Sequence, residues 1–100
     1  MANPIELISI NWTDENGQQL VKELKKEVLT SGAWSTIMFM YQDLDKQSGS
    51  YGPKKVRVGR YKKSGDKYIQ QSKFNISSAA QAKKIVEVIQ GWLPEMESES

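Results

Sequence analysis

A chain of 100 residues, 38% hydrophobic and 26% charged, has the size of one domain with a modest core. It contains no cysteine and no histidine, which removes disulfides, thiol nucleophiles, the commonest transition-metal ligands and the usual general base. A net charge of +2 does not by itself mark a binder of polyanions, and neither enzymatic chemistry, nor a metal, nor a cofactor is expected.

The opening Met1-Ala2-Asn3-Pro4-Ile5-Glu6 has no basic stretch followed by an apolar run, so no secretory signal is expected and the location reads as cytoplasmic. Residues 5–12 alternate as a short strand, with Ile8, Ile10 and Trp12 against Ser9 and Asn11. Thr13-Asp14-Glu15 resembles a helix start, and Leu20, Val21, Leu24, Val28 and Leu29 recur at three- and four-residue spacing, which predicts a helix over 14–30 that Ser31-Gly32 ends. Residues 35–43 are apolar on both alternations, as in a strand covered on two sides. The longest apolar run there, Ile37 to Tyr41, is far too short to span a bilayer, and no membrane association is expected.

The Gly- and Ser-rich stretch from Asp45 to Pro53 predicts a loop. Strands follow at 54–63 and 68–76, joined by the turn Ser64-Gly65-Asp66, with a bulge at Gly59 or at Gln70-Gln71. Ser77 or Ser78 caps a helix over 78–92 whose apolar stripe is Ala82, Ile85, Val86, Ile89, Trp92 and Leu93. Gly91 and Pro94 end it, leaving 94–100 as an acidic disordered tail after a single domain over 1–93. The expected fold is therefore α+β, in the order β-α-β-β-β-α, with an antiparallel meander sheet covered by helices.

Charge is strongly segregated. Residues 1–20 carry three acids and no base, whereas residues 51–75 carry eight bases against Asp66 alone. Cations spaced along strands can follow phosphates, and aromatic rings between them offer stacking platforms for unpaired bases. Arg57, Tyr61 and Lys63 share one strand face, Arg60 and Lys62 the other, and Lys67, Tyr68, Lys73 and Phe74 come from the turn and the neighbouring strand. These nine residues form the candidate site for single-stranded DNA or RNA. A plainer reading makes the basic hairpin a solvated face that blocks edge pairing. The carboxylates fit structural duties better than catalysis: Asp14 and Glu15 as helix-start charges, Asp43 and Asp45 as loop polarity. Trp12, Trp34 and Trp92 read as packing anchors, although Trp34, close to Gly32, also stands where it could be exposed for stacking. The doubly apolar strand at 35–43 suggests that a second subunit seals one side, giving a homodimer.

The stretch Val56-Arg57-Val58-Gly59-Arg60-Tyr61-Lys62-Lys63, then Ser64-Gly65-Asp66-Lys67, Ser72-Lys73-Phe74-Asn75-Ile76-Ser77 and an amphipathic helix, resembles the positive cofactor four family of single-stranded-DNA-binding transcriptional coactivators. The resemblance covers residues 36–93. It implies a transcription-related protein that dimerises through its helices and binds single strands on a curved sheet, with contacts at Arg57, Arg60, Tyr61, Lys62, Lys63, Lys73 and Phe74. Two other readings stand beside it. The helix, three strands, helix order and Ala79-Ala80-Gln81-Ala82-Lys83-Lys84 also resemble a double-stranded-RNA-binding domain. A protein-interaction module could instead present the basic hairpin to an acidic partner.

Overall fold

The structure is a computed structural model that describes residues 4–98. It is an α+β fold built on one antiparallel sheet. The strands are β1 (Trp12–Thr13), β2 (Gln19–Thr30), β3 (Trp34–Asp45), β4 (Ser50–Tyr51), β5 (Lys55–Ser64) and β6 (Lys67–Ile76), followed by α1 (Ala79–Ser98). The sheet order is β1-β2-β3-β5-β6, with β4 pairing only the end of β3. The expected strands at 35–43, 54–63 and 68–76 thus correspond to β3, β5 and β6, and the expected final helix to α1. Gln71 has no partner between the pairs Arg60↔Ser72 and Tyr61↔Gln70, so the bulge falls in the Gln70-Gln71 pair.

The helix expected over 14–30 is instead a β-hairpin. Asp14 Oδ1 accepts the backbone N–H groups of Asn16 and Gln18 at 3.0 and 2.9 Å, and Gly17 turns with φ +84°. The carboxylate therefore closes an Asx-type turn rather than capping a helix. The helix-like spacing of the apolar residues has a separate cause. The register of β2 on β3 slips between Glu23 and Lys25 and again between Val28 and Thr30, so Leu24 and Leu29 are extra residues. Two bulges break the two-residue period and imitate a longer one. With that helix gone, the element order needed by a double-stranded-RNA-binding domain is absent among the described residues.

The strand expected over 5–12 is also overturned. Pro4–Leu7 is a short 3-10 helix and only Trp12–Thr13 pairs with β2. The segment between them crosses the sheet as an irregular strap. Ile5 and Ile10 are buried beneath it against Ile37, Phe39, Tyr41 and Tyr61, and this cluster is the core. The strap cannot bond to the strands it crosses, so side chains of β2 satisfy it instead. Lys26 Nζ donates to the carbonyls of Ile5 and Ile8 at 2.8 and 2.7 Å. Glu23 Oε1 accepts from Ser9 Oγ at 2.9 Å and from the Ile10 N–H at 3.2 Å.

Ser78 Oγ accepts the N–H of Gln81 at 3.1 Å, and Gln81 Oε1 returns the bond to the Ser77 N–H at 2.9 Å, a reciprocal cap that starts α1. The helix then passes Gly91 and Pro94 and ends at Ser98. The expected tail is therefore helical over 94–98, while 99–100 lie outside the described residues. Trp92, Leu93 and Met96 continue the apolar stripe past Pro94, which removes only one hydrogen bond of the ladder. No described residue of α1 is buried. Helices contribute little cover to the sheet, contrary to expectation.

Candidate nucleic-acid interface

Antiparallel register assigns the hairpin residues to two faces. On the strapped face, β3 supplies Ser35, Ile37, Phe39 and Tyr41, whose cross-strand partners on β5 are Tyr61, Gly59, Arg57 and Lys55. Their partners on β6 are Gln70 for Tyr61, Lys73 for Gly59 and Asn75 for Arg57, and Lys63 pairs with Tyr68 on the same side. Arg60, Lys62 and Phe74 project from the opposite, open face. The nine expected site residues are therefore divided by the sheet.

Between the strap and the hairpin end runs a groove of about 630 Å³, lined by Leu7, Asn11, Arg57, Lys67, Tyr68 and Gln70 among others. Arg57 is held in place from two sides. Its guanidinium lies 4.9 Å from the centroid of the Tyr41 ring, and its Nε donates to Asn75 Oδ1 at 2.8 Å. Lys67 is exposed at the groove's mouth next to Asp66, the sole acid in the lining. Tyr68 is half-buried and donates its hydroxyl to the Gly32 carbonyl at 3.2 Å, which ties the hairpin end to the β2–β3 turn. Lys63 and Lys73 are exposed on this same face outside the lining. Among the described residues, none of Arg57, Lys63, Lys67 and Lys73 forms an ion pair, in contrast to Lys55, which meets Asp43 Oδ2 at 2.9 Å. That contact raises the Lys55 pKa, mainly through the hydrogen bond.

Tyr61 does not serve as the stacking platform expected of it. It is 5% exposed and belongs to the core beneath the strap. Its ring lies across Gly59, where a Cβ would sit 3.0 Å from Tyr61 Cε1. Burial raises the phenol pKa, while Arg57 pulls it down and Glu23 pushes it up. Its part is to hold up the groove wall.

The open face is graded along its strands. Toward α1, Met38, Met40, Val56, Val58 and Phe74 form an apolar zone, with Phe74 53% exposed. Toward the hairpin end the surface becomes cationic and aromatic. The guanidinium of Arg60 and the ammonium of Lys62 stand 4.8 and 5.5 Å from the Trp34 ring centroid. Trp34 is 43% exposed, Trp12 59% and Trp92 63%, so none of the three is a buried anchor. Trp34 was legible as a candidate only through its neighbour Gly32. Its pairing with Lys62 depends on the β3–β5 register, which composition does not disclose.

Asp14, Asp43 and Asp45 close turns or pair locally. Asp45 Oδ1 accepts the Gln47 N–H at 3.0 Å, beside the Asp14 turn and the Asp43–Lys55 pair. Among the described residues there is no group of three or more potential metal ligands and no helix long and apolar enough to cross a membrane. No protein-family model, curated protein or solved structure matches the chain.

Proposed function

We propose that this protein is a non-enzymatic, sequence-tolerant binder of single-stranded nucleic acid that works as a homodimer. The observation that carries the reading is the collection of Arg57, Lys63 and Lys73 on one face, with Lys67 at the hairpin end lining the same open groove, which has one acid in its lining. Unpaired cations at this density attract a polyphosphate backbone, and the groove is too shallow and polar to favour an apolar small molecule. The likeness of residues 36–93 to the positive cofactor four family points to the same class of ligand and, as a finer expectation, to a role connected with transcription.

Dimerisation is supported by surface that a monomer leaves uncovered. The accessible area is 7436 Å², whereas a compact monomer of this mass exposes about 5,800 Å². The radius of gyration is 16.1 Å, against about 13 Å for a compact chain of this length. The excess area exceeds the roughly 800 Å² per partner of a standard interface. Exposed apolar surface includes Phe74 of the open face and Val86, Ile89, Trp92, Leu93 and Met96 of α1, which are 40–63% exposed. A two-fold arrangement in which these surfaces meet covers both at once, and it assigns Phe74 to the subunit interface instead of to nucleic acid.

Fluorescence anisotropy of a labelled oligothymidylate at several salt concentrations tests the reading. Binding should weaken with a log–log slope near 0.7 for each phosphate neutralised, and Lys67→Gln with Lys73→Gln should lower that slope by about 1.4. Absence of binding at low salt, or a double variant indistinguishable from the parent, would overturn it. Among the described residues no strand pairs with the outer edge of β6, which favours a second reading, a module that adds a strand from a partner protein. That reading gains if no oligonucleotide binds.

A further inference from the structure

We propose that a strand bound in the groove continues around the free edge of β6 and stacks a base on Trp34, so that Trp34, Arg60 and Lys62 form the second half of one binding path. The inference rests on the single-strand reading of the groove and extends it to a face that the strap does not cover.

Three observations support this path. Firstly, Arg60 and Lys62 are both drawn to one indole, at 4.8 and 5.5 Å from its centroid. Two cations over a single ring repel each other, and among the described residues neither has a carboxylate within ion-pair range. An anion placed beside them relieves that repulsion. A phosphate does so while its base uses the exposed part of the ring.

Secondly, the row that holds the indole leads to the sheet's edge. Trp34 pairs with Lys62, and Lys62 pairs with Ile69 on β6. With neighbouring strands ~4.8 Å apart, this row spans about 10 Å from Trp34 to the outermost strand. Ile69 is 52% exposed there, and among the described residues no strand lies beyond it.

Thirdly, the chain neighbours of Ile69 are Tyr68 and Gln70, which turn to the other face and line the groove. The groove therefore opens at the same point of β6 that the Trp34 row reaches. A few nucleotides bridge the two without leaving protein surface. The apolar zone proposed for the dimer lies farther along the strands, at Val58, Phe74 and Val56, and leaves the Trp34 row clear.

The test uses the full chain with Trp12→Phe and Trp92→Phe, so that Trp34 is the one indole, and an oligothymidylate of about twenty nucleotides. Indole emission should be quenched with the same midpoint that anisotropy reports. Trp34→Ala should weaken binding roughly five- to hundred-fold, with Trp34→Phe recovering part of the loss. Thermal melting of each variant establishes that it is folded. If the oligonucleotide binds and responds to Lys67→Gln with Lys73→Gln while Trp34 emission and Trp34→Ala affinity stay unchanged, the extension is wrong and the groove reading stands. If nothing binds at low salt, both fall together.

Discussion

The ring of Tyr61 lies flat across Gly59, two residues earlier on the same strand, so closely that a Cβ there would stand 3.0 Å from Cε1, 3.2 Å from the hydroxyl oxygen and 3.3 Å from Cζ. The absent side chain lets the ring lie down, and the ring in turn carries Ile5 and Ile10 of the strap. A glycine inside a strand costs about 0.5–1 kcal/mol relative to alanine, which makes this contact the more telling.

Gly59→Ala separates the two effects. The gain in strand propensity is about 0.5–1 kcal/mol, but overpacking a closed site costs typically 1–3 kcal/mol. Tyr61 is pinned by the core and cannot swing to solvent, so overpacking should win and urea denaturation should show a net loss of about 1 kcal/mol or more. Adding Tyr61→Leu should make the alanine far less costly, a coupling that a double-mutant cycle measures. Equal costs in both backgrounds would disprove the contact's role.

Stability should fall as pH rises above about 10. Burial raises the Tyr61 pKa, and the hydrogen bond to Asp43 raises that of Lys55. Both groups hold their protons more tightly in the folded chain, so across the interval between unfolded and folded pKa the native state binds more protons. By linkage their contribution is fully present below about pH 10 and is lost as pH climbs through the folded values. Denaturant midpoints measured from pH 8 to 11 should drop above pH 10. Tyr61→Phe with Lys55→Met should flatten that drop, and an undiminished drop in the double variant would reject the assignment.

What the sequence discloses about this fold follows from whether side-chain period survives local irregularity. In β3 the two-residue period is unbroken, and Ser35, Ile37, Phe39 and Tyr41 are the buried alternation. In β2 the extra residues Leu24 and Leu29 shift the phase twice, so the same alternation appears as a helical stripe. Asn16-Gly17 was the competing signal, since that dipeptide is a strong hairpin marker, and Asp14 beside it favours an Asx turn as much as a helix cap. The candidate site residues were readable as a set, but not the two faces between which the sheet divides them. Whether Tyr61 meets solvent depends on where residues 5–11 run, and only the carbonyls that Lys26 captures and the bonds to Glu23 decide that.

The strap should therefore answer to Lys26 more than to its own sequence. Lys26→Met keeps much of the stem's apolar cover but removes the two charge-assisted hydrogen bonds to the Ile5 and Ile8 carbonyls, at a cost of roughly 1–3 kcal/mol. Hydrogen exchange should then quicken at Ile10, whose N–H depends on the strap staying seated over Glu23, while β3 amides change only with global stability. Uniform acceleration throughout the sheet would mean that strap and sheet open as one unit and that Lys26 is no local latch.

The helix supplies the sharpest test of the dimer. Most helical stability in proteins comes from packing an amphipathic face against other structure, and α1, which contains Gly91 and Pro94, buries none of its described residues. In the proposed dimer its exposed stripe packs on the apolar zone of a second copy, a surface of matching character. Ile89→Asp places a charge in the middle of the exposed stripe, where it would have to be desolvated on association. Light scattering should report about twice the 11.4 kDa chain mass for the parent and a shift to the single-chain mass for the variant, with a parallel loss of helical circular dichroism. A parent that runs at the single-chain mass with its helix intact would refute the dimer, while the groove and the Trp34 path, which lie toward the other end of the strands, would stand untouched.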